Sequence, residues 1–173
     1  MQNLSSPNGS KQANLSVRKG EIVGIAGLVG GGRTEMLRAL FGLDPVQVTQ
    51  ILVQGKPVHP PTPRTLLQHH VGLLSEDRAH EGLAQNLTLA DNITLPIPGK
   101  ISRRGVLSLK KKYDISKAVM ARMNVKAEHP LQKVNQLSGG NQQKVALARL
   151  VAADTQIMLL DEPTRGIDVG SKA

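Results

Sequence analysis

Short apolar runs, cut by glycine and proline, set the rhythm of this chain. Leu15-Ser16-Val17 alternates, Arg18-Lys19-Gly20 reads as a turn, and residues 21–26 (EIVGIA) read as a short apolar strand. A helix is predicted over 35–40, with Met36, Leu37 and Leu40 as its apolar face. Residues 50–54 (QILVQ) read as a strand and 55–57 as a turn, in a hairpin region. The prolines at 60, 61 and 63 then break the chain before a short helix at 64–69. Another strand follows at 71–75 (VGLLS). Asn and Asp punctuate the apolar run at 83–95, and Pro96 and Pro98 end it. Ile115, Val119 and Met123 recur every fourth residue, which predicts an amphipathic helix over 114–125 with one buried face, ended before Pro130. Ser138 suits an N-cap, and Val145, Ala148, Val151 and Ala152 after it carry helical spacing. Ile157–Leu160 is a short apolar run of the buried-strand kind. Residues 1–14 are polar throughout and predict a disordered lead-in or linker. Short strands alternating with helices predict an α/β core with a mostly parallel sheet.

Candidate chemistry sits at the ends of these elements. The strand predicted at 21–26 runs into Gly27-Leu28-Val29-Gly30-Gly31-Gly32-Arg33-Thr34, and a helix follows. A P-loop reads G-x-x-x-x-G-K-[ST] in that context. Gly27 and Gly32 hold the glycine places, with Gly30 and Gly31 between them, and Thr34 holds the hydroxyl place. Glycines let a loop wrap phosphate with its own N–H groups, and a threonine hydroxyl at this point can reach Mg²⁺. Arg33 departs from the pattern. It keeps the charge, but a planar guanidinium is bulkier than an ammonium and does not act as a point charge. A second anion site is suggested where Ser138, Gly139 and Gly140 open a helix and offer its first N–H groups. At the end of the 157–160 strand stand Asp161 and Glu162. Adjacent carboxylates there suit a metal-assisted phosphate site, one for Mg²⁺ and one to orient or deprotonate water. Each feature alone has a plainer reading, as a turn, a Gly-rich loop or a solvated strand end.

In this order and this close together, LSGGNQQK and DEPTRGID resemble the signature, Walker B and D-loop segments of ATP-binding cassette (ABC) ATPases. They look like one branch in particular, the ATPase subunits of bacterial monosaccharide importers, which carry two cassettes in one chain. GLVGGGRTE and SEDR are similar to the second, degenerate cassette of that branch. The resemblance covers about residues 16–173 and implies a P-loop NTPase core. Within a partial cassette over 15–173, it implies an inserted helical subdomain at about 81–150. It also implies a cassette incomplete at its C-terminal end, since the family's next helix, core strand and switch histidine do not follow Asp168. An open sheet edge or exposed apolar patch is then expected. No aromatic precedes Gly27 to stack on adenine.

Roles follow from the resemblance residue by residue. Gly27, Gly30, Gly31, Gly32, Arg33 and Thr34 would cradle the phosphates of ATP, with Thr34 and Asp161 holding Mg²⁺. Glu162 would polarise the attacking water. Glu76 takes the place of the family's glutamine after the 71–75 strand. Ser138, Gly139 and Gly140 would face ATP held by a second cassette, in the same chain or a homodimer, and Asp168 belongs to the D-loop. The implied partners are that cassette, membrane permease subunits and, indirectly, a periplasmic sugar-binding protein. The implied place is cytoplasmic, peripheral on the inner face of the cell membrane. Three readings stay open: an ATP-hydrolysing cassette that drives sugar import, a non-hydrolytic cassette that donates its LSGG to a partner, and an inert fragment.

Composition changes this picture little. The chain has 173 residues, enough for one real core, and a formal net charge of +9. Arg103-Arg104 and Lys110-Lys111-Lys112 form the one basic cluster, read as a solvated face. A basic balance would allow a nucleic-acid partner, but SEDR and LSGGNQQK argue against one. Cysteine is absent, so no disulfide or thiolate metal site is available. No run approaches the length of a membrane span, and the start lacks the apolar core of a signal peptide. Phe41 and Tyr113 are the only aromatics, so any core is aliphatic. His69-His70 are neighbours that do not face one another on a helix, and they read as structural or surface residues.

Overall fold

A computed structural model describes residues 2–5, 14–28, 30–45 and 47–164. These fall into two compact units, Met1–Leu73 and Leu74–Ala173. Asp168 lies outside the described residues.

In the first unit, strand β1 (Gln2–Ser5) pairs antiparallel with β2 (Gln47–Gln50), with Leu4 opposite Val48. Composition alone predicts no structure at 2–5. Main-chain pairing is blind to side-chain polarity, and β2 supplies the partner. Helix α1 (Arg33–Leu40) starts two residues before the predicted 35, directly on the glycine loop, and buries Leu37, Ala39 and Leu40. Its C-terminus closes in a Schellman motif: Leu43 N–H donates to Arg38 C=O (2.9 Å) and Gly42 N–H to Ala39 C=O (3.0 Å). Asp44 then accepts two bonds from the Arg38 guanidinium (2.9 and 3.0 Å).

Gly42 has φ 76°, and a Cβ there would stand 2.3 Å from the Pro61 carbonyl oxygen. Left-handed backbone and a backbone clash therefore add. Gly42→Ala is expected to cost roughly 2–5 kcal/mol in urea unfolding. A loss below about 1 kcal/mol would mean that the segment at Pro61, just before α2, yields freely.

A hairpin lies in the expected region, but the elements differ: Gln50 ends β2, only 52–53 of the predicted 50–54 strand form β3, and Lys56 and Pro57, read as turn, pair with it as a strand. β3 (Leu52–Val53) and β4 (Lys56–Pro57) are joined by Gln54 (φ 52°) and Gly55 (φ 76°), the two left-handed positions of a type I′ turn. Helix α2 (Pro63–Gln68) begins at a capping box, Thr62 with Thr65, and has Pro63 in its first turn.

One expectation is corrected here. Residues 21–28 form no strand, and Ile22 and Leu28 are 98% and 86% exposed. A strand exists by pairing, and among the described residues none pairs with this segment. Apolar character alone does not make a ladder.

Strand β5 (Val71–Leu74) ends at the unit boundary. The second unit is mainly helical: α3 (Leu89–Thr94), α4 (Pro98–Ile101), α5 (Leu109–Arg122) and α6 (Gly139–Ala152). Between α4 and α5 lies a small hairpin of β6 (Ser102–Arg103) and β7 (Val106–Leu107). Strand β8 (Ile157–Leu160) follows α6 at the predicted place but is not buried as expected: Ile157 and Leu159 are half-buried, and Met158 and Leu160 are exposed among the described residues. Leu89, Ile93, Met120, Val134, Val145 and Ala148 form the centre of an aliphatic core. Ile115, Val119 and Met123 pack on it, as their spacing predicts. Helix α5 starts at Leu109 rather than 114 because Ser108 caps it: its hydroxyl oxygen accepts from Lys111 N–H (3.3 Å).

Two polar groups tie the helices together. Thr88 and Asp91 cap α3 reciprocally, and Lys112 from α5 bonds the Asp91 carboxylate. Burial raises the Asp91 pKa, but the bonds from Lys112 and Thr88 outweigh it, and the net result lies below the ordinary 3.8. A carboxyl whose folded pKa is depressed stabilises the fold above its unfolded pKa and loses that contribution as pH falls through the folded value. Stability is thus expected to drop from about pH 4 downward, and Asp91→Asn to flatten that drop in acid titrations followed by circular dichroism. An unchanged slope would exclude Asp91 as its source.

Asn92, fully buried, is the second tie. Its Oδ1 accepts from Ala84 N–H (2.9 Å), and its Nδ2 donates to the carbonyls of Ala84 and Thr88 (3.0 Å each). Arg149 of α6 donates to its Oδ1 (3.1 Å) and its carbonyl (3.2 Å). Burial of that guanidinium lowers its pKa.

Candidate functional site

The glycine loop of the first unit has the backbone of an anion cradle. Gly30 and Gly32 are left-handed (φ 77° and 80°), and between them Gly31 donates its N–H to Leu28 C=O (3.0 Å). A Cβ on Gly31 would meet that carbonyl oxygen at 2.9 Å, so the turn excludes a side chain. Successive N–H groups in such alternating conformations form a concave nest for anions. Helix α1 then begins with Gly32 at its N-cap and no side chain capping it, so the cap leaves room for a ligand oxygen. Arg33 and Thr34 are the first two helical residues, both half-buried. The Arg33 stem folds back over the loop start: a Cβ on Gly27 would lie 3.7 Å from its Cδ. Val29 lies outside the described residues.

The second unit holds the other candidates. Ser138 occupies the N-cap of α6 with extended backbone (φ −60°, ψ 153°), as expected. Its hydroxyl does not cap, however. It accepts from the Asn141 side chain (3.0 Å), and the residue is exposed. The first turn of α6 is therefore left without a side-chain cap, beside a hydroxyl at the surface. Gly139 and Gly140 form the first helical turn, where absent side chains let a ligand approach the backbone.

Asp161 and Glu162 follow β8 and differ sharply. Asp161 is buried (6% exposed), and its N–H donates to Leu74 C=O (3.0 Å) at the end of β5. Glu162 is exposed and left-handed (φ 43°), an uncommon state for a residue with a side chain. Among the described residues no group of three or more His, Cys, Asp or Glu could enclose a metal. A single buried carboxylate suits Mg²⁺, which dehydrates reluctantly and commonly takes one or two carboxylates plus phosphate oxygens.

Glu76 is half-buried in the segment after β5, which closes in a π-type turn over Arg78–Gly82. The structure brings this segment to the signature helix through Arg78. Its Nη1 donates to Gly139 C=O (3.0 Å) and to Gln143 Oε1 (3.2 Å). Gln143 is buried (3% exposed), and its Nε2 donates to Pro163 C=O (2.9 Å). Three candidate segments, around Glu76, Ser138 and Glu162, thus meet on two side chains. Sequence spacing does not reveal either: Arg78 and Gln143 lie 65 positions apart. Their only signal is that both stand inside motif words, SEDR and LSGGNQQK.

Residues 10–165 match the family model described as ABC transporter. A ribose import ATP-binding protein of Lactococcus lactis subsp. cremoris is 43% identical over 171 residues, 99% of this chain and 35% of its own length. A xylose import ATP-binding protein of Burkholderia cenocepacia is 42% identical over 161 residues, 92% of this chain and 31% of its own. The chain spans about a third of the length of the curated relatives it matches. Among solved structures, a dimeric ATP-binding cassette in a post-hydrolysis state, bound to ADP and Pi, superposes with a TM-score of 0.76. It is 27% identical and is covered over 93% of this chain and 68% of its own. The α/β fold with parallel strands expected from the motif order is the fold of these neighbours. Among the described residues no helix is long and apolar enough to cross a membrane.

Proposed function

This chain belongs to the ABC transporter family, and on that premise we propose that it is a nucleotide cassette of a monosaccharide importer. In this reading it pairs head-to-tail with a second cassette and couples ATP hydrolysis to a membrane permease. It works on the cytoplasmic face of the membrane, and a periplasmic sugar-binding protein acts indirectly. Support for the sugar class comes from relatives named for ribose and xylose import. Pairing is supported by neighbours described as dimeric.

The cassette contributes unequally to the two nucleotide sites. The observation that carries this is the contrast between its two anion-binding helix starts. At α6, Ser138-Gly139-Gly140 keeps an exposed hydroxyl and no side-chain cap. At α1, Arg33 replaces the lysine and its stem lies over Gly27. The signature is therefore suited to the partner's ATP, while the chain's own loop holds nucleotide weakly. Gly27, Gly30, Gly31 and Gly32 would shape that loop, and Arg33 would neutralise phosphate charge. Mg²⁺, when bound, offsets phosphate charge and orients the oxygens. Thr34 and Asp161 would hold it, Glu76 would bind a metal-bound water, and Glu162 would polarise the attacking water. Asp168 would belong to the facing D-loop.

Calorimetric titration with ATP tests the weak loop. We expect weak, Mg²⁺-dependent binding, improved by Arg33→Lys and reduced by Thr34→Ala. An Arg33→Lys chain that binds no better, or indifference to Thr34→Ala, would sink this assignment.

A further inference from the structure

We infer that Arg78 is a positioning residue for the signature: with Gln143 it locks the segment after β5, the start of α6 and the turn after Glu162 into one mechanical unit. The inference rests on the cassette reading above.

The geometry is specific. The segment around Arg78 is braced internally. Ser75 Oγ donates to Glu81 Oε2 (2.8 Å), Asp77 N–H donates to Ser75 Oγ (3.2 Å), and the Asp77 carboxylate accepts from His80 N–H (3.1 Å). Those bonds hold the turn closed on itself, while the Arg78 guanidinium reaches outward to α6. It takes a carbonyl in the first helical turn and the end of the Gln143 carboxamide. The carboxamide can be oriented only one way, since a flipped amide would set its NH₂ against the guanidinium and its oxygen against the Pro163 carbonyl. Gln143 is therefore a two-ended link, buried and fully directed. Displacing Pro163 pulls on Gln143, which releases or tightens Arg78 and with it Gly139, the neighbour of Ser138.

Charge adds a second effect. A cation near the N-terminal end of a helix opposes the helix dipole, and it reinforces the attraction of that end for an anion. Arg78 thus favours the state in which phosphate is docked on α6 over the state without it. Both bonds leave one nitrogen, so an ammonium at this position can replace them in part.

ATP turnover by the full-length protein paired with its partner cassette and permease, in lipid vesicles, tests this. Arg78→Met and Gln143→Leu are each expected to lower kcat about tenfold with KM for ATP changed less than about twofold, as expected for contacts that matter in the closed, reacting pair. The double variant should be no worse than either single one, because the two act in one link. Arg78→Lys should recover to within about threefold of the parent. Additive losses, or a loss confined to KM, or Arg78→Met at the parental rate, would overturn the inference. If Arg78→Met does not fold, the comparison of Arg78→Lys with Gln143→Leu decides: a Lys variant no better than Gln143→Leu counts against the link. Ser138→Arg separates the two levels. Loss of turnover in Ser138→Arg with a silent Arg78→Met overturns the link alone. A silent Ser138→Arg overturns the cassette reading and the link with it.

Discussion

Ser138→Arg in the full-length, paired protein is expected to abolish most ATP turnover and sugar uptake, whereas Glu162→Gln is expected to do much less. Ser138 is exposed at the start of a 14-residue helix, and among the described residues its hydroxyl is engaged only by Asn141. In the proposed pair it would donate to the γ-phosphate of ATP held by the other cassette. A charge-assisted bond of this kind is worth roughly 1.5–3 kcal/mol, on the order of tenfold to a hundredfold in rate if made in the transition state. Arginine removes the bond and fills the space left by Gly139 and Gly140, so the loss should exceed that range. Glu162, in contrast, would serve the site whose loop carries Arg33 in place of lysine. In the proposed pair that site would turn over slowly already, so a neutral glutamine there would remove little. Turnover in proteoliposomes ranks the two variants. If Glu162→Gln were the more damaging, this cassette would be the catalytic partner and the assignment would reverse.

Replacing Asn92 by leucine should produce the largest loss of stability in the second unit. The swap keeps the number and branching of side-chain heavy atoms and removes no volume, so no cavity explains the outcome. Four partners lose their bonds: Ala84 N–H, the carbonyls of Ala84 and Thr88, and one of the two contacts of Arg149. Arg149 is the costly one. It is half-buried, burial lowers its pKa, and among the described residues both of its side-chain hydrogen bonds go to Asn92. Leaving a buried polar group unsatisfied costs roughly 1–3 kcal/mol, more when it is charged, and here several are left at once, although Arg149 keeps its bond to the Asn92 carbonyl. We expect Asn92→Leu to lower urea stability by roughly 3–5 kcal/mol, and Asn92→Leu with Arg149→Met to recover part of it. A double variant as unstable as the sum of the singles would show that the two residues act independently.

How far the sequence reaches depends on the range of the interaction. Helix starts are local: Thr62 with Thr65, Thr88 with Asp91, and Ser108 with Lys111 lie within three residues of each other. The apolar spacing of Ile115, Val119 and Met123 likewise reports one helix face, and the run at Ile157–Leu160 reports one strand. The order of the glycine loop, the signature and the Asp-Glu pair could be read directly, because each motif is a contiguous word. Pairing could not. Residues 21–26 have the apolar content of a strand but no ladder partner among the described residues, while polar 2–5 pairs with β2. Side-chain identity proposes a strand, and backbone hydrogen bonding to another segment decides it. The same holds for the second unit's polar ties. The link from Arg78 through Gln143 to Pro163, and the hub at Asn92, join residues tens of positions apart. Only the packed tertiary structure sets those distances, because burial is what turns a polar side chain into a bond that must be satisfied.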